Sequence, residues 1–118
     1  MPFIHSLCSY KSSLIVGTET GHILCIPVYD LRKPKFILQA SLCRIVCSRI
    51  WQKNKPILIS ADNADSFCLF DFEKRTNSQP TFLQKYKTIA EPVQIEPLGT
   101  NLLVATTNPA LSIFSLKM

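Results

Sequence analysis

An apolar pattern that returns about every 44 residues constrains this chain more than any other feature. Val28-Tyr29-Asp30-Leu31, Leu69-Phe70-Asp71-Phe72 and Ile113-Phe114-Ser115-Leu116 read as three copies of one strand ending. Each follows an apolar run: Leu14 to Gly17, Ile57 to Ala61, and Leu102 to Thr106. The aromatic positions are spaced by 41 residues (29 to 70) and then 44 (70 to 114). A repeat of this length is a single supersecondary unit, and it buries its apolar face only by stacking on its neighbours.

The second copy is the most legible. Cys43 to Ile50 is apolar and β-branched enough for a first strand. Trp51 to Pro56 is a polar turn that a helix cannot run through, because Pro56 lacks an N–H. Ile57 to Ala61 is a short continuous apolar run of the kind found in strands buried on both faces. Asp62-Asn63-Ala64-Asp65 is turn chemistry. Phe67 to Phe72 is a third strand, Lys74 to Pro80 a second polar turn, and Thr81 to Tyr86 a fourth strand. The first copy repeats the order with Phe3–Ser9, Leu14–Gly17, Ile23–Leu31 and Phe36–Gln39 as strands. Pro27 lies inside the third of these and predicts a bulge or an edge there. The third copy, from Ile89 through Leu116, holds three strands. Four strands joined by polar turns make one blade, so the chain is read as all-β, a partial β-propeller. The approximate blades are residues 1–41, 42–88 and 89–118.

The strand endings resemble those of WD40-type repeats, in which the third strand closes on Trp-Asp. Val28-Tyr29-Asp30 and Leu69-Phe70-Asp71 put another aromatic in the Trp place. Ile113-Phe114-Ser115 keeps the aromatic and loses the Asp. The Gly-His pair that opens many repeats of the family is absent, since Gly21-His22 falls between the second and third strands. The resemblance implies a four-stranded-blade propeller working as a non-catalytic protein-interaction scaffold within a larger complex. Ser48-Arg49-Ile50 and Leu103 to Pro109 also resemble segments of the WD-repeat partner of the tRNA guanine-N7 methyltransferase. That likeness implies an alternative role, a non-catalytic subunit supporting tRNA binding.

Phe36 to Trp51 also fits a helix. Ile37, Leu38, Leu42, Ile45, Val46 and Ile50 fall at three- and four-residue spacings, with Arg44, Ser48 and Arg49 mostly opposite. Three glycines are also few for a chain of tight turns. The recurrence of Pro34-Lys-Phe36 as Pro80-Thr-Phe82 favours strands.

Propellers close with about four to eight blades, and this chain carries fewer than three. It is therefore read as part of a larger propeller: a fragment, a short isoform, or a half completed by self-association through open blade edges. No apolar stretch reaches the length of a membrane span. The N-terminus lacks the basic and apolar segments of a secretory signal. Five cysteines (Cys8, Cys25, Cys43, Cys47 and Cys68), all placed within expected strands, read as buried free thiols in a reducing compartment, cytoplasmic or nuclear. Cys43 and Cys47 share a strand face but lack two further ligands for zinc, and His5 and His22 are not placed to supply them.

No dinucleotide fingerprint, phosphate loop, nucleophile elbow or zinc-protease motif is present. The expectation is a non-enzyme without cofactor or metal. Asp62 and Asp65 read as solvated turn acids. Trp51, beside Lys53 and Lys55, is read either as packing at a blade edge or as a stacking platform for a partner. Charge carries more. Turns one-to-two and three-to-four of every blade lie on one face of a propeller. Lys11, Arg32, Lys33, Lys35, Lys53, Lys55, Lys74 and Arg75 all fall in or beside them. The two-to-three turns carry Glu19, Asp62 and Asp65. One rim is expected to be basic, and with a net charge of +5 it suits an acidic protein partner or RNA. The candidate binding residues are Arg32, Lys33, Lys35, Lys53, Lys55, Lys74 and Arg75.

Overall fold

The computed structural model describes residues 3–108 and 111–115, which form eleven strands and no helix. β1 (Ile4–Tyr10), β2 (Ser13–Thr18), β3 (His22–Pro27) and β4 (Phe36–Gln39) make one antiparallel sheet in sequence order. β5 (Ile45–Gln52), β6 (Pro56–Asp62), β7 (Ser66–Thr76) and β8 (Gln79–Lys87) make a second. β9 (Pro92–Leu98), β10 (Asn101–Thr106) and β11 (Leu111–Ser115) make a third. The first strands of the three sheets pack side by side, β1 on β5 and β5 on β9. The sheets thus fan out as consecutive blades.

The repeat is stricter in space than in the letters. Ser13, Ile57 and Asn101 pair with Pro27, Asp71 and Ser115, so corresponding positions of the central hairpins lie 44 residues apart throughout. Two of the expected strand endings hold this position, Phe70-Asp71 and Phe114-Ser115, while Leu116 lies outside the described residues. The first does not. Its true counterpart is Ile26-Pro27, and Val28-Tyr29-Asp30-Leu31 is not strand. Pro27 cannot donate to a ladder, so β3 stops there. The chain turns with Val28 N–H on Ser12 O and Asp30 N–H on Pro27 O, and Tyr29 is left 80% exposed.

Each blade is apolar on both faces. Ile15, Ile23, Cys25, Phe36 and Leu38 of the first blade pack against Ile45, Leu58, Cys68, Phe70 and Phe72 of the second. On the other face of the second blade, Trp51, Ile57, Ile59, Phe67 and Leu69 meet Ile95, Leu102 and Val104 of the third. Between two neighbours, every residue of β6 is buried. This is why that strand reads as an unbroken apolar run instead of an alternating one.

The alternative helix over Phe36 to Trp51 is replaced by β4, a linker and β5. Phe36 and Leu38 point inward while Ile37 and Gln39 point outward, a period of two. Gly21 anchors the linker. Its carbonyl accepts from Ala40 and Ser41, and at φ 85° a Cβ there would meet Ser41 O at 2.0 Å. The scarcity of glycine is met by Lys11, Asn77 and Ser78, which take positive φ of 53°, 53° and 65° in the turns. Cys43 lies outside β5, so it shares no strand face with Cys47.

Gly17 faces the second blade where β1, β2 and β5 converge. A Cβ there would lie 2.2 Å from Ser6 Oγ and 2.5 Å from Ile45 Cγ2. The corresponding positions, Ala61 and Ala105, are also small. Gly17→Ala is expected to lose about 1–3 kcal/mol to overpacking, outweighing the gain of roughly 0.4–1 kcal/mol from a stiffer unfolded chain. Urea denaturation of the two proteins checks this, and a stabilised variant contradicts the tight seam.

Candidate functional site

Blade 2 departs from the repeat on one rim. Its first turn is longer: five residues separate Trp51 from its partner Ile57, against two between Tyr10 and Ser13 or between Leu98 and Asn101. The longer turn carries Lys53, Asn54 and Lys55. On the same rim β7 runs past the packed sheet to Thr76, so Lys74 and Arg75 are strand residues and the turn is only Asn77-Ser78. The register slips between Asp71 and Arg75. Asp71 caps that irregularity, its Oδ1 accepting from the N–H of Glu73 (3.2 Å) and Lys74 (3.1 Å).

The basic residues separate into three situations. Lys55 is consumed structurally, with its Nζ 2.9 Å from Oδ2 of the buried Asp71. Lys53 lies over the Trp51 ring, 5.2 Å from its centroid. Arg32 reaches Asp30 at 3.9 Å and borders the outer face of blade 1, while Lys33 and Lys74 stand exposed. Lys35 and Arg75 are brought together, and Lys11 joins them. The three line a cleft of about 340 Å³ between blades 1 and 2, with Tyr10, Ser13 and Phe72 among its walls.

The cleft has an aromatic floor. Phe72 meets Tyr10 and Phe36 edge-on, with centroids 5.4 and 5.9 Å away. The Arg75 guanidinium lies over Phe36 and Phe72 at 4.9 and 5.1 Å and donates to Phe72 O. This holds a planar cation in place with its charge uncompensated by any carboxylate among the described ion pairs. Lys35 Nζ donates to Ser13 Oγ at 2.9 Å, and Lys11 lies over the Tyr10 ring at 5.4 Å. Glu73 contributes the cleft's one acidic side chain. The arrangement suits an anionic group carried beside an apolar or aromatic one.

Other expected residues are placed differently. Trp51 is only 3% exposed in the core of the seam between blades 2 and 3, and its Nε1–H donates to Gly99 O at 3.1 Å, so it offers no stacking platform. Asp62 is buried, not a solvated turn acid. It accepts from Ser41 Oγ, Ser66 Oγ and Ala64 N–H at 2.9 to 3.0 Å, tying the blade 1–2 linker to the β6–β7 turn. Asp65 is exposed in that turn. All five cysteines are free, with Cys25, Cys47 and Cys68 buried. Burial pushes the Cys8 and Cys68 thiols up from their ordinary value. No group of three or more potential metal ligands gathers among the described residues.

No protein-family model and no curated protein matches this chain. Its solved structural neighbours are β-propellers, and that is its fold. It is similar to the β-propeller domain of Myceliophteria thermophila Cps50 (Swd1), with a TM-score of 0.75 and 13% identity over 97% of this chain. It is similar too to BBS1N crystallised in complex with ARL6DN, with a TM-score of 0.73 and 15% identity over 95% of this chain. The match spans 40% and 33% of those two chains, well under half of each. The computationally designed Ika4 protein, 7% identical with a TM-score of 0.54, aligns over 99% of this chain and 93% of its own.

The Lys55 ammonium, as hydrogen-bond partner, holds the Asp71 carboxyl below its ordinary value, with the two backbone N–H groups helping against the opposing effect of burial. The folded pKa is therefore lower than the unfolded one. The resulting stability is full above the ordinary carboxylate pKa of about 3.9 and is lost as pH falls through the folded value. Lys55→Met keeps the stem and removes the charge. It is expected to cost about 1–3 kcal/mol at pH 7 and to flatten the fall in stability between pH 5 and 2, as measured by urea denaturation across that range. An unchanged pH profile contradicts the assignment.

Proposed function

We propose that this chain is a non-catalytic interaction scaffold that engages an acidic segment of a protein partner in the cleft between blades 1 and 2. One observation carries the reading. Lys11, Lys35 and Arg75 come from three different turns and arms yet converge on one aromatic-floored cleft, without carboxylate partners among the described ion pairs. The blades themselves supply packing faces. The free, partly buried thiols suit work in the cytoplasm or nucleus.

The second reading is the non-catalytic subunit of a tRNA guanine-N7 methyltransferase, with the basic rim supporting tRNA. Of the residues that carry that resemblance, Ser48 is buried and bonded to Ser6 Oγ, and Arg49 pairs with Glu96 at 3.1 Å. Ser48 is thus held within a blade seam and Arg49 is paired across one, which leaves the rim charge as the main support for the RNA reading.

Capture of partners by the tagged chain, with and without ribonuclease, separates the two readings. Protein partners that resist ribonuclease and bind the Lys11→Glu/Lys35→Glu variant roughly tenfold more weakly at low salt support the acidic-segment reading. A methyltransferase recovered only with tRNA, through binding that falls steeply with salt, favours the second. Partner binding unchanged by the double charge reversal, in a variant that melts as the parent does, overturns the cleft.

A further inference from the structure

The two outermost blade faces are the two halves of a seam that the chain already makes twice. Within each blade, alternate residues serve opposite seams. Ile15 and Cys25 of blade 1 face blade 2, and their counterparts 44 residues on, Ile59 and Leu69, face blade 3. The next counterparts, Leu103 and Ile113, meet no further blade among the described residues. Leu103 is partly buried, Ile113 is 65% exposed, and Leu98 beside them is 63% exposed.

The receiving halves follow the same rule. Leu58, Cys68 and Phe70 receive blade 1, and Leu102 and Phe114 receive blade 2. Their blade 1 counterparts, Leu14, Leu24 and Ile26, receive nothing. They belong to an open face on which Val16, Leu24, Ile26 and the 48%-exposed Ile37 border a cavity of about 620 Å³. Leu103 and Ile113 match Ile59 and Leu69 in size, so the blade 3 face presents the kind of surface that the blade 1 face is built to receive.

We propose that two copies of this chain join head to tail, the outer face of blade 3 in each packing on the outer face of blade 1 in the other. Both seams form at once and the pair closes on itself. Two four-stranded sheets and one three-stranded sheet from each copy make a ring of six, within the roughly four to eight blades that close a propeller. Three copies exceed that range, and within one copy the described residues leave both apolar faces open. The new seam is equivalent by repeat to the internal ones but more apolar. Where Tyr10 OH donates to Gln52 Oε1 at 3.2 Å and Trp51 to Gly99 O, the corresponding residue is Leu98. Each seam joins unlike faces, and this separates it from a dimer that pairs one face with itself.

Light scattering coupled to size exclusion, with the full chain at micromolar concentration, is expected to give twice the 13.3 kDa chain mass. Ile37→Asp spoils the blade 1 face and Ile113→Asp spoils the blade 3 face. Both side chains are largely exposed in one copy, so the internal blades keep their packing. Each variant alone is expected to run at the single-chain mass. An equimolar mixture is expected to recover the doubled mass, because one intact seam remains between the two variants. The Lys11→Glu/Lys35→Glu variant, altered on the rim and not on these faces, keeps the doubled mass whatever becomes of partner binding. A single-chain mass for the unaltered protein, folded or not, overturns the proposal. So does a doubled mass retained by either variant alone, a mixture that stays at single-chain mass, or an assembly larger than two copies.

Discussion

Blade 2 of this protein is a sheet without a solvent face, and the rest of the structure follows from that. An antiparallel sheet commonly buries one side and wets the other. Here the alternation of each strand sends apolar side chains to both sides, so a blade buries both faces only between two neighbours. Blade 2 has both, and all of β6 is buried as a result. A sheet of this kind cannot fold as an isolated unit. The free energy of the molecule therefore resides in its seams more than in its strands, as in other repeat architectures.

Apolar seams alone would let blades slide against one another, and the polar contacts within them set the alignment. Ser6 meets Ser48 across the first seam, and Arg49 meets Glu96 across the second. Tyr10 and Trp51 occupy the same place in successive blades, and each donates to the first turn of the next. Asp62 gathers two hydroxyls and a backbone N–H where the linker passes over blade 2. Among the described residues no buried side-chain polar atom is left without a partner. A satisfied polar contact adds little net stability, but a slipped blade would orphan the buried ones, those of Asp62 and the Trp51 N–H, at a cost of roughly 1–3 kcal/mol each. The seams are thereby held to one register.

The strands were legible in the sequence because both-face burial produces continuous apolar runs, as at Ile57 to Ala61. The phase of the first repeat was not. Tyr29-Asp30 imitates the Phe70-Asp71 ending, and only the pairing of Ser13 with Pro27 reveals that the true counterpart is Ile26-Pro27. Trp51 was misplaced because Lys53 and Lys55 made its surroundings look like solvent, although it is the Tyr10 position of blade 2. It pairs with Ile57 as Tyr10 pairs with Ser13, but it lies 41 residues after Tyr10 because the first turn of blade 2 is three residues longer. Asp62 could not be told from Asp65 by composition, since both flank a turn. Its burial comes from Ser41, supplied by the linker from another blade. The basic rim was legible as a set, but which of its members share a cleft was not, because that depends on how closely neighbouring blades approach.

The rim and the seams obey different rules, and this separates the interaction chemistry from the fold. Lys53, Lys55, Lys74 and Arg75 all lie where blade 2 exceeds the common repeat, in a longer first turn and an overrunning β7. Residues there are free of the alternation that packing imposes, so charge can collect without entering a seam. The exception shows the limit. Asp71 stands one residue before the last buried position of β7, where its carboxylate is buried, and it draws Lys55 back to neutralise it. Arg75, four residues further on, is past that boundary. It rests its guanidinium on Phe36 and Phe72, the aromatic ends of two blades, and keeps its charge for the cleft. The cleft thus exists only where two blades meet, and its shape is inherited from the seam beneath it. Its charge is set by the segments that have escaped the seam. Substitution in the rim can then alter the charge of the cleft without disturbing the stack, whereas substitution in the seam alters both.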